Sequence, residues 1–364
     1  MKNNPLRFKF SNCVHIYYKG SSCDLCVSVC PIEEAIIQED YKIIVNFEKC
    51  ISCGACIGIC PSEAFYFENL DFYELHKKLI EQKQNILSCK RDIPCLSAFN
   101  IEYLVATVLK LQEDLVLDIG YCSECQIGTL LERIKNTAKE TNYVLEQLGS
   151  KFRVKLEELK IQPENKQEND RRSFLKRFTK TAAGLTFWAL MPEISVKEED
   201  EKDSLKNIVE KKVQLKKRKA LIEALKNLNI PEEKQNEIKF SVEKISFTSD
   251  KWIDNYKCTN CSVCYNICPT GALKPGAERL QILFEPALCI KCKVCHEVCP
   301  EDCLHLKDKL PLNIFLNETE ILAKHIMIPC EECMVPFSYK GDTTLCPRCR
   351  ELEEEIKDLL KIED

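Results

Sequence analysis

The sequence predicts a mixed protein of the α+β class, in which two cysteine-rich modules are joined by a helical linker and followed by a small four-cysteine ribbon. The first observation is the placement of the 25 cysteines in two blocks, residues 13–125 and 258–349, with none between. The second is the helical spacing of apolar residues such as Leu130, Ile134 and Leu148 after the first block. The third is a pair of short aliphatic runs around a turn within the first block, which predicts a β-hairpin.

These patterns divide the chain into five predicted units. Residues 1–70 and 246–310 form the two cysteine-rich modules, and residues 71–160 extend the first module with four further cysteines. Residues 161–245 form the linker, because its first stretch carries no apolar side chain. Residues 311–364 form the ribbon and an acidic tail.

Composition and charge exclude several classes of protein. Cysteine makes up about 7% of the chain, close to the level of small secreted disulfide scaffolds. The chain is long, however, and its first residues lead into no apolar signal segment, which favours metal ligands in a reducing cytoplasm. The net charge of −5 argues against nucleic-acid binding. No apolar run reaches the roughly 18 residues of a membrane span, so we expect no transmembrane segment.

The strongest motif occurs twice in the second block. The run C-x2-C-x2-C-x3-C-P ends at Cys268-Pro269 and again 31 residues later (299 minus 268) at Cys299-Pro300. Thiolates are the soft ligands that the iron atoms of a [4Fe-4S] cube bind, and the fourth cysteine of each run binds the other cube. The predicted sets are Cys258, Cys261, Cys264 and Cys299 for one cluster, and Cys268, Cys289, Cys292 and Cys295 for its partner.

Residues 250–308 resemble the two-cluster bacterial ferredoxins in this duplicated motif. The resemblance implies a small pseudo-twofold α+β domain, whose hairpins cover two neighbouring clusters, and a role in one-electron transfer. A pair of zinc sites is the alternative, although zinc rarely needs the crossed motif in duplicate. Cys303 is left over, and we expect it to pack as a small apolar side chain and not to act as a ligand.

The first block repeats this design with one change. The run from Cys50 to Cys60-Pro61 is intact, whereas the preceding copy lacks its first cysteine, and Gly20 stands at the expected position. The unassigned upstream thiol is Cys13, which is the predicted substitute. A three-iron cluster without that ligand, or His15 in its place, are the alternatives. The predicted sets are Cys13, Cys23, Cys26 and Cys60 for one cluster, and Cys30, Cys50, Cys53 and Cys56 for the other.

Aliphatic residues between the two N-terminal runs predict the hairpin already mentioned. Residues 35–37 and 43–45 flank a turn at Glu39-Asp40. Such a hairpin would cover the clusters with apolar side chains. This matters because solvent exposure helps to set the reduction potential.

Two further four-cysteine sets lie outside these runs. Cys89, Cys95, Cys122 and Cys125 would be brought together by a helix and a short buried strand between Leu104 and Asp118. They would hold either an iron–sulfur cluster, which the neighbouring motifs favour, or zinc; alternatively, Cys89 and Cys95 are ordinary core residues. Cys330, Cys333, Cys346 and Cys349 form two C-x2-C knuckles around a short hairpin and resemble a zinc ribbon or a rubredoxin. We favour structural zinc over iron there, because glycine does not follow the knuckles.

Two segments of the linker carry separate signals. Arg171-Arg172-Ser173-Phe174-Leu175-Lys176, followed by an apolar stretch to Met191, resembles a twin-arginine export signal at an internal position. If it functions, the protein is exported or membrane-associated; otherwise it is an amphipathic helix. The basic tract Lys216-Lys217-Arg218-Lys219, flanked by Glu210 and Glu223, predicts the solvated face of a helix.

Taken together, the motifs predict a polyferredoxin. Four [4Fe-4S] clusters would pass electrons to or from a redox enzyme or another electron-transfer protein. The chain resembles the ferredoxin-type subunits found beside anaerobic respiratory enzymes. No phosphate-binding or nucleophile motif suggests catalysis on an organic substrate. The alternative is a maturation or assembly factor for a redox enzyme, which would use the ribbon to bind a client protein.

Overall fold

The computed structural model describes residues 4–162, 211–317 and 319–360. The twin-arginine-like segment and most of the predicted linker lie outside these ranges. In the described ranges no helix is long and apolar enough to cross a bilayer. The architecture is a mixture of short helices and small sheets.

The N-terminal module is built from two antiparallel strand pairs and three short helices. Strand β1 pairs with β4, and β2 pairs with β3. The second pair is the predicted hairpin, and its presence confirms that prediction. The elements are β1 (Leu6–Phe8), α1 (Val14–Tyr17), α2 (Leu25–Ser28), β2 (Ile36–Glu39), β3 (Lys42–Val45), α3 (Ala55–Ile59) and β4 (Phe65–Phe67).

The segment that follows folds as a three-stranded parallel sheet with helices. The strand order is β5-β6-β7, so β6 is central. Asn100 caps α5 by accepting a hydrogen bond from the Glu102 N–H, and the predicted helix and buried strand between Leu104 and Asp118 are both present. The elements are α4 (Phe72–Glu81), β5 (Ile86–Ser88), α5 (Ile101–Leu111), β6 (Leu115–Asp118), α6 (Leu130–Gln147) and β7 (Val154–Glu157).

Helix α7 (Lys216–Lys226) packs closely against α5. The prediction that its first turn is a solvated face is wrong for two residues, because Lys217 and Arg218 are each only 3% exposed. The helical period explains the burial of Lys217: together with Ala220, Leu221, Ala224 and Leu225 it follows i, i+3, i+4, i+7, i+8 spacing on one buried face.

The C-terminal module repeats the strand plan of the N-terminal one. Strand β9 pairs with β12, and β10 pairs with β11, which also pairs with β14. A further pair, β8 with β13, joins the segments on either side of the module. The elements are α8 (Glu232–Gln235), β8 (Lys239–Ser241), β9 (Lys251–Ile253), α9 (Val263–Ile267), β10 (Leu273–Pro275), β11 (Gln281–Phe284), α10 (Val294–Glu297), β12 (Leu304–Leu306), β13 (Lys309–Pro311), α11 (Leu312–Asn317) and β14 (Glu320–Lys324).

The last elements are the hairpin β15 (Ile326–Pro329) and β16 (Pro336–Tyr339), followed by α12 (Pro347–Leu360). No residue of α12 is buried. The main hydrophobic core therefore lies elsewhere: it runs from the N-terminal module through the parallel sheet to α7 and α11. A second core fills the C-terminal module.

Candidate metal centres

The two cysteine runs of the C-terminal module line two cavities of similar size. One, with about 340 Å³ of empty space, is lined by Cys258, Cys261, Cys264 and Cys299. The other, with about 330 Å³, is lined by Cys268, Cys289, Cys292 and Cys295. Each cavity thus receives three thiols from one run and the fourth from the other. We name the set that contains Cys258 the C-outer set and the set that contains Cys268 the C-inner set.

Burial shapes the chemistry of these thiols. Burial raises the pKa of Cys292 well above its ordinary value, and the neighbouring Cys295 adds to the effect. Burial also raises the pKa of Cys264, with the charge of Cys295 as the next cause. The thiolates that an iron atom binds are therefore costly in this interior without a compensating cation. The donor chemistry and the four thiols that line each cavity fit an iron–sulfur cluster.

Cys303 is 2% exposed, which agrees with its expected burial. Its Sγ lies 3.5 Å from the Sγ of Cys299. Its thiol lies beside Cys258 as well, where hydrogen bonding between the two thiols lowers the pKa of Cys258 and raises that of Cys303. Cys303 therefore lies beside two predicted ligands without being one of them in the predicted sets.

In the N-terminal module, Cys30, Cys50, Cys53 and Cys56 line a cavity with about 310 Å³ of empty space. We name them the N-outer set. Ala35 and Ile36 of the predicted hairpin region line the same cavity, which confirms that aliphatic residues cover it. Burial raises the pKa of Cys53 to about 12.

The remaining N-terminal thiols, Cys13, Cys23, Cys26 and Cys60, also share one neighbourhood, the N-inner set. Burial raises the pKa of Cys26, and the charges of Cys60, Cys13 and Cys23 add to the shift in that order. Cys13 is 7% exposed and directly precedes α1. The Nε2 atom of His15 lies 2.7 Å from the carbonyl oxygen of Cys23, so that nitrogen is engaged with the backbone.

Strand pairing shows which residue of the N-terminal module corresponds to Cys258. The Lys9 N–H, just after β1, donates to the Ala64 carbonyl, and the Asp254 N–H, just after β9, donates to the Cys303 carbonyl. Ala64 and Cys303 each stand four residues after the last cysteine of a run. Cys13 lies four residues after Lys9, and Cys258 lies four residues after Asp254. Counted from the strands, Cys13 and Cys258 are therefore equivalent.

The two inner sets meet at a junction between the modules. Val14, Ile290 and Val294 form its buried apolar centre, and Cys23 of the N-terminal module and Cys292 of the C-terminal module pack against it. The backbone N–H of Ser22 donates to the Glu297 carboxylate at 3.2 Å. Burial, together with the charge of Cys268, raises the pKa of Tyr17 to about 12.

Helix α7 connects the same two sets through adjacent cations. Lys217 Nζ donates to the carbonyl oxygen of Cys60 at 2.6 Å, and Arg218 Nη2 donates to that of Cys289 at 3.0 Å.

Arg218 is also anchored on both halves of the molecule. Its Nε bonds to the Glu102 carboxylate, Nη2 to the Phe247 carbonyl at 2.6 Å, and Nη1 to the Ala287 carbonyl. The sequence interpretation missed both cations, although the helical period placed Lys217 on the apolar face.

The middle set, Cys89, Cys95, Cys122 and Cys125, is brought together beside the parallel sheet. Burial raises the pKa of Cys122 to about 12, and the charges of Cys89, Cys95 and Cys125 add to the shift. Cys125 is exposed, whereas Cys95 is buried.

The ribbon cysteines form a much tighter group. The Sγ atoms of Cys330, Cys333, Cys346 and Cys349 all lie within 4.8 Å of one another. The Sγ atoms of Cys333 and Cys346 are 3.8 Å apart. Four thiolates at about 2.3 Å from one tetrahedral ion stand about 3.8 Å apart. The geometry therefore fits a single metal ion.

Comparison with protein families agrees with this arrangement. Residues 250–300 match the 4Fe-4S dicluster domain, and residues 43–66 match the 4Fe-4S binding domain. No curated protein matches the chain. The first match contains both C-terminal cysteine runs, and the second contains the intact N-terminal run. The chain is therefore an iron–sulfur protein that carries ferredoxin-type 4Fe-4S domains in both of its cysteine-rich modules.

Proposed function

We propose that the chain is a one-electron carrier, a polyferredoxin, in which four [4Fe-4S] clusters form one path through both modules. A bound [4Fe-4S] cluster supplies one-electron oxidation and reduction at a potential set by its surroundings. The cysteines named above would hold the four clusters. The other residues of the chain fix the order of these sets, their burial and the charge around them.

The observation that carries this proposal is the junction between the modules. After burial, the charge of Cys295 raises the pKa of Cys264 within the C-terminal module, and the charges of Cys26 and Cys60 are among those that raise the pKa of Cys56 within the N-terminal one. The two inner sets then meet across Val14 and Val294. The order of the sets is therefore N-outer, N-inner, C-inner, C-outer. A carrier that passes electrons between two partners needs such a continuous order.

Lys217 would favour the reduced state at the middle of this path, whereas the charge of Arg218 is offset by the Glu102 carboxylate that it binds. Both cations bind the backbone of a cluster cysteine on the inner sets. Because each reduction adds a negative charge, a buried cation beside a set raises its reduction potential. Buried hydrogen bonds also hold the two inner loops rigidly, which limits rearrangement during transfer.

The partners follow from this role. We propose that the chain serves a redox enzyme complex of the anaerobic respiratory type, or another electron-transfer protein, in the cytoplasm. The ribbon would hold structural zinc, since its geometry fits one ion, and the middle set would hold either an iron–sulfur cluster or zinc. All 25 cysteines are free of disulfides in the structure, which suits a reducing compartment.

Stopped-flow spectroscopy on anaerobically purified full-length protein tests the proposal. The protein is reduced with dithionite, freed of reductant, and mixed with ferricyanide as a one-electron acceptor. We expect at least four electrons per chain to be returned in a fast phase. Clusters that stay oxidised with dithionite, in a protein that binds an apo-enzyme tightly, would overturn the proposal in favour of an assembly factor.

A further inference from the structure

The middle set stands at the carboxyl edge of the parallel sheet. Strands β5 and β6 are parallel neighbours, and their last residues, Ser88 and Asp118, are in register. Cys89 directly follows β5, and Cys122 follows β6 after a three-residue turn. In open sheets of this kind, ligands bind outside the carboxyl ends of the strands.

A buried carboxylate fixes the loops that carry these thiols. Asp118 is fully buried, and its Oδ2 accepts hydrogen bonds from Ser88 Oγ at 3.0 Å and from the Ile161 N–H at 3.0 Å. Its Oδ1 accepts from the Gly120 N–H at 3.1 Å. Although burial raises the pKa of Asp118, these hydrogen bonds lower it below its ordinary value. The edge of the sheet is therefore a rigid frame.

All four thiols belong to one site. Burial raises the pKa of Cys122, and the charges of the other three thiols raise it further. Burial also raises the pKa of Cys89, and the charges of Cys95 and Cys125 raise it further. Burial likewise raises the pKa of Cys95, and the charge of Cys125 contributes to that shift. The Cys125 N–H also donates to the Cys122 carbonyl oxygen at 3.3 Å, so these two cysteines share one turn beside the carboxyl edge of the sheet.

The spacing of these thiols separates a cluster from a single ion. Within the described residues, the ribbon is the one group of three or more cysteine, histidine or acidic ligand atoms that lie within 4.8 Å of one another. The middle set is more widely spaced, as are the sets of the two ferredoxin-type modules. A single tetrahedral ion needs thiolates about 3.8 Å apart, whereas several iron atoms between the thiolates hold them further apart.

A polar group beside the site lacks a partner. The Nε atom of Arg133, on α6, is buried and makes no hydrogen bond in the part of the chain that the structure describes. Burial lowers the pKa of Arg133, and the charge of Cys95 is among the groups that oppose this shift. A buried donor without a partner is costly. The sulfur atoms of a cluster would accept from it, as hydrogen bonds to sulfur commonly do.

The site adjoins the N-outer set. The turn after Cys95 packs so closely on α3 that a Cβ at Gly58 would lie 2.1 Å from the Ser97 carbonyl oxygen. The charge of Cys95 is also one of the causes that raise the pKa of Cys53, after burial. The middle set therefore extends the order of sets beyond the N-terminal module, and its exposed Cys125 lies at the surface.

We propose that Cys89, Cys95, Cys122 and Cys125 hold a fifth iron–sulfur cluster, with Arg133 donating a hydrogen bond to its sulfur atoms. Its place at the end of the electron path rests on the proposed function, whereas the metal site itself does not. The surface position of Cys125 makes this cluster the point of contact with a redox partner at that end.

Metal and sulfide analysis of the full-length Cys89→Ala/Cys122→Ala variant tests the site. Relative to wild type, we expect a loss of two to four iron and as much sulfide, with zinc unchanged. Cys330→Ala/Cys333→Ala is the matched control, which should lose zinc and keep its iron. Loss of one zinc without iron from the first variant, or no loss of metal, would overturn the proposal. The readout is metal and sulfide content, so the result does not depend on whether the clusters transfer electrons.

Arg133→Gln provides a second test should the cysteine variant fail to fold. Arg133 is a positioning residue, because it would act through the cluster. We expect metal content and thermal midpoint to stay near wild type, while the midpoint potential of one EPR component falls. A redox titration in which every component keeps its wild-type potential would overturn the role of Arg133.

Discussion

The two ferredoxin-type modules reach a similar arrangement of thiols by different routes of the chain. In the C-terminal module, Cys258 and Cys261 are three residues apart, whereas in the N-terminal module Cys13 and Cys23 are ten residues apart. Cys13 and Cys258 nevertheless each lie four residues after the last backbone hydrogen bond of their strand pair, which Lys9 and Asp254 donate. The position of the first thiol is thus set by strand pairing and not by the spacing within the motif.

The additional residues of the N-terminal module have a place of their own. They form α1 and carry Val14 and Tyr18, which pack against the C-terminal module. The C-terminal module has no such insertion between Cys258 and Cys261. The irregular motif is therefore the segment that joins the two modules.

The largest effect is expected when the first thiol of each module is removed. Cys13→Ala and Cys258→Ala should lose equal amounts of iron and sulfide, up to the four of one cube, because the two residues are equivalent. Iron and sulfide analysis and EPR of the reduced proteins measure this. Cys303→Ala is the control and should keep all its iron. A Cys13→Ala variant with full iron content would break the equivalence of the modules.

The next largest effect is expected at Arg218, which bonds to residues of both halves. Arg218→Met leaves the Glu102 carboxylate buried without its partner, which should cost about 3–5 kcal/mol of stability. The neighbouring Lys219→Met, at an exposed side chain, should change stability by about 0.5 kcal/mol or less. Anaerobic thermal unfolding of both variants compares them. Equal midpoints would contradict the account of α7 as the link between the modules.

A smaller effect is expected at the junction itself. Val14→Ala removes two buried methyl groups and should cost about 1–2 kcal/mol, with iron content unchanged. Val335→Ala, at a residue 57% exposed, is the matched control and should have almost no effect. Denaturant unfolding, monitored through the absorbance of the clusters, compares the stability of the two variants. If Val14→Ala behaves like the control, the contact between modules does not form in solution.

The smallest effect is expected in the response of stability to acid. Burial lowers the pKa of His76 from 6.5 to about 4, and its Nδ1 lies 2.8 Å from Thr107 Oγ1. The unfolded chain binds the proton more readily, so stability is lost as the pH falls from about 6.5 towards 4. Between pH 7 and 5.5 the loss should be about 1 kcal/mol. A His76→Leu variant should lack this component; an unchanged pH profile in that variant would refute the assignment.

Much of this architecture could be predicted where the signal is local. The crossed thiol sets of the C-terminal module follow from motif spacing, and the hairpin over the N-outer set follows from two short aliphatic runs around a turn. The burial of Arg218 could not be predicted in this way, because its partners Glu102 and Cys289 lie 116 and 71 residues away. Cys13 is the predicted substitute for the missing first cysteine, and the pairing of β1 with β4 adds a structural basis for its correspondence with Cys258.

An anaerobic count of iron, acid-labile sulfide and zinc in the full-length protein tests the central claim most directly. Four cubes in two equivalent modules predict about sixteen iron and as much sulfide, with two to four more of each from the middle set and near one zinc from the ribbon. About eight iron would contradict the account, because one module would then lack its clusters.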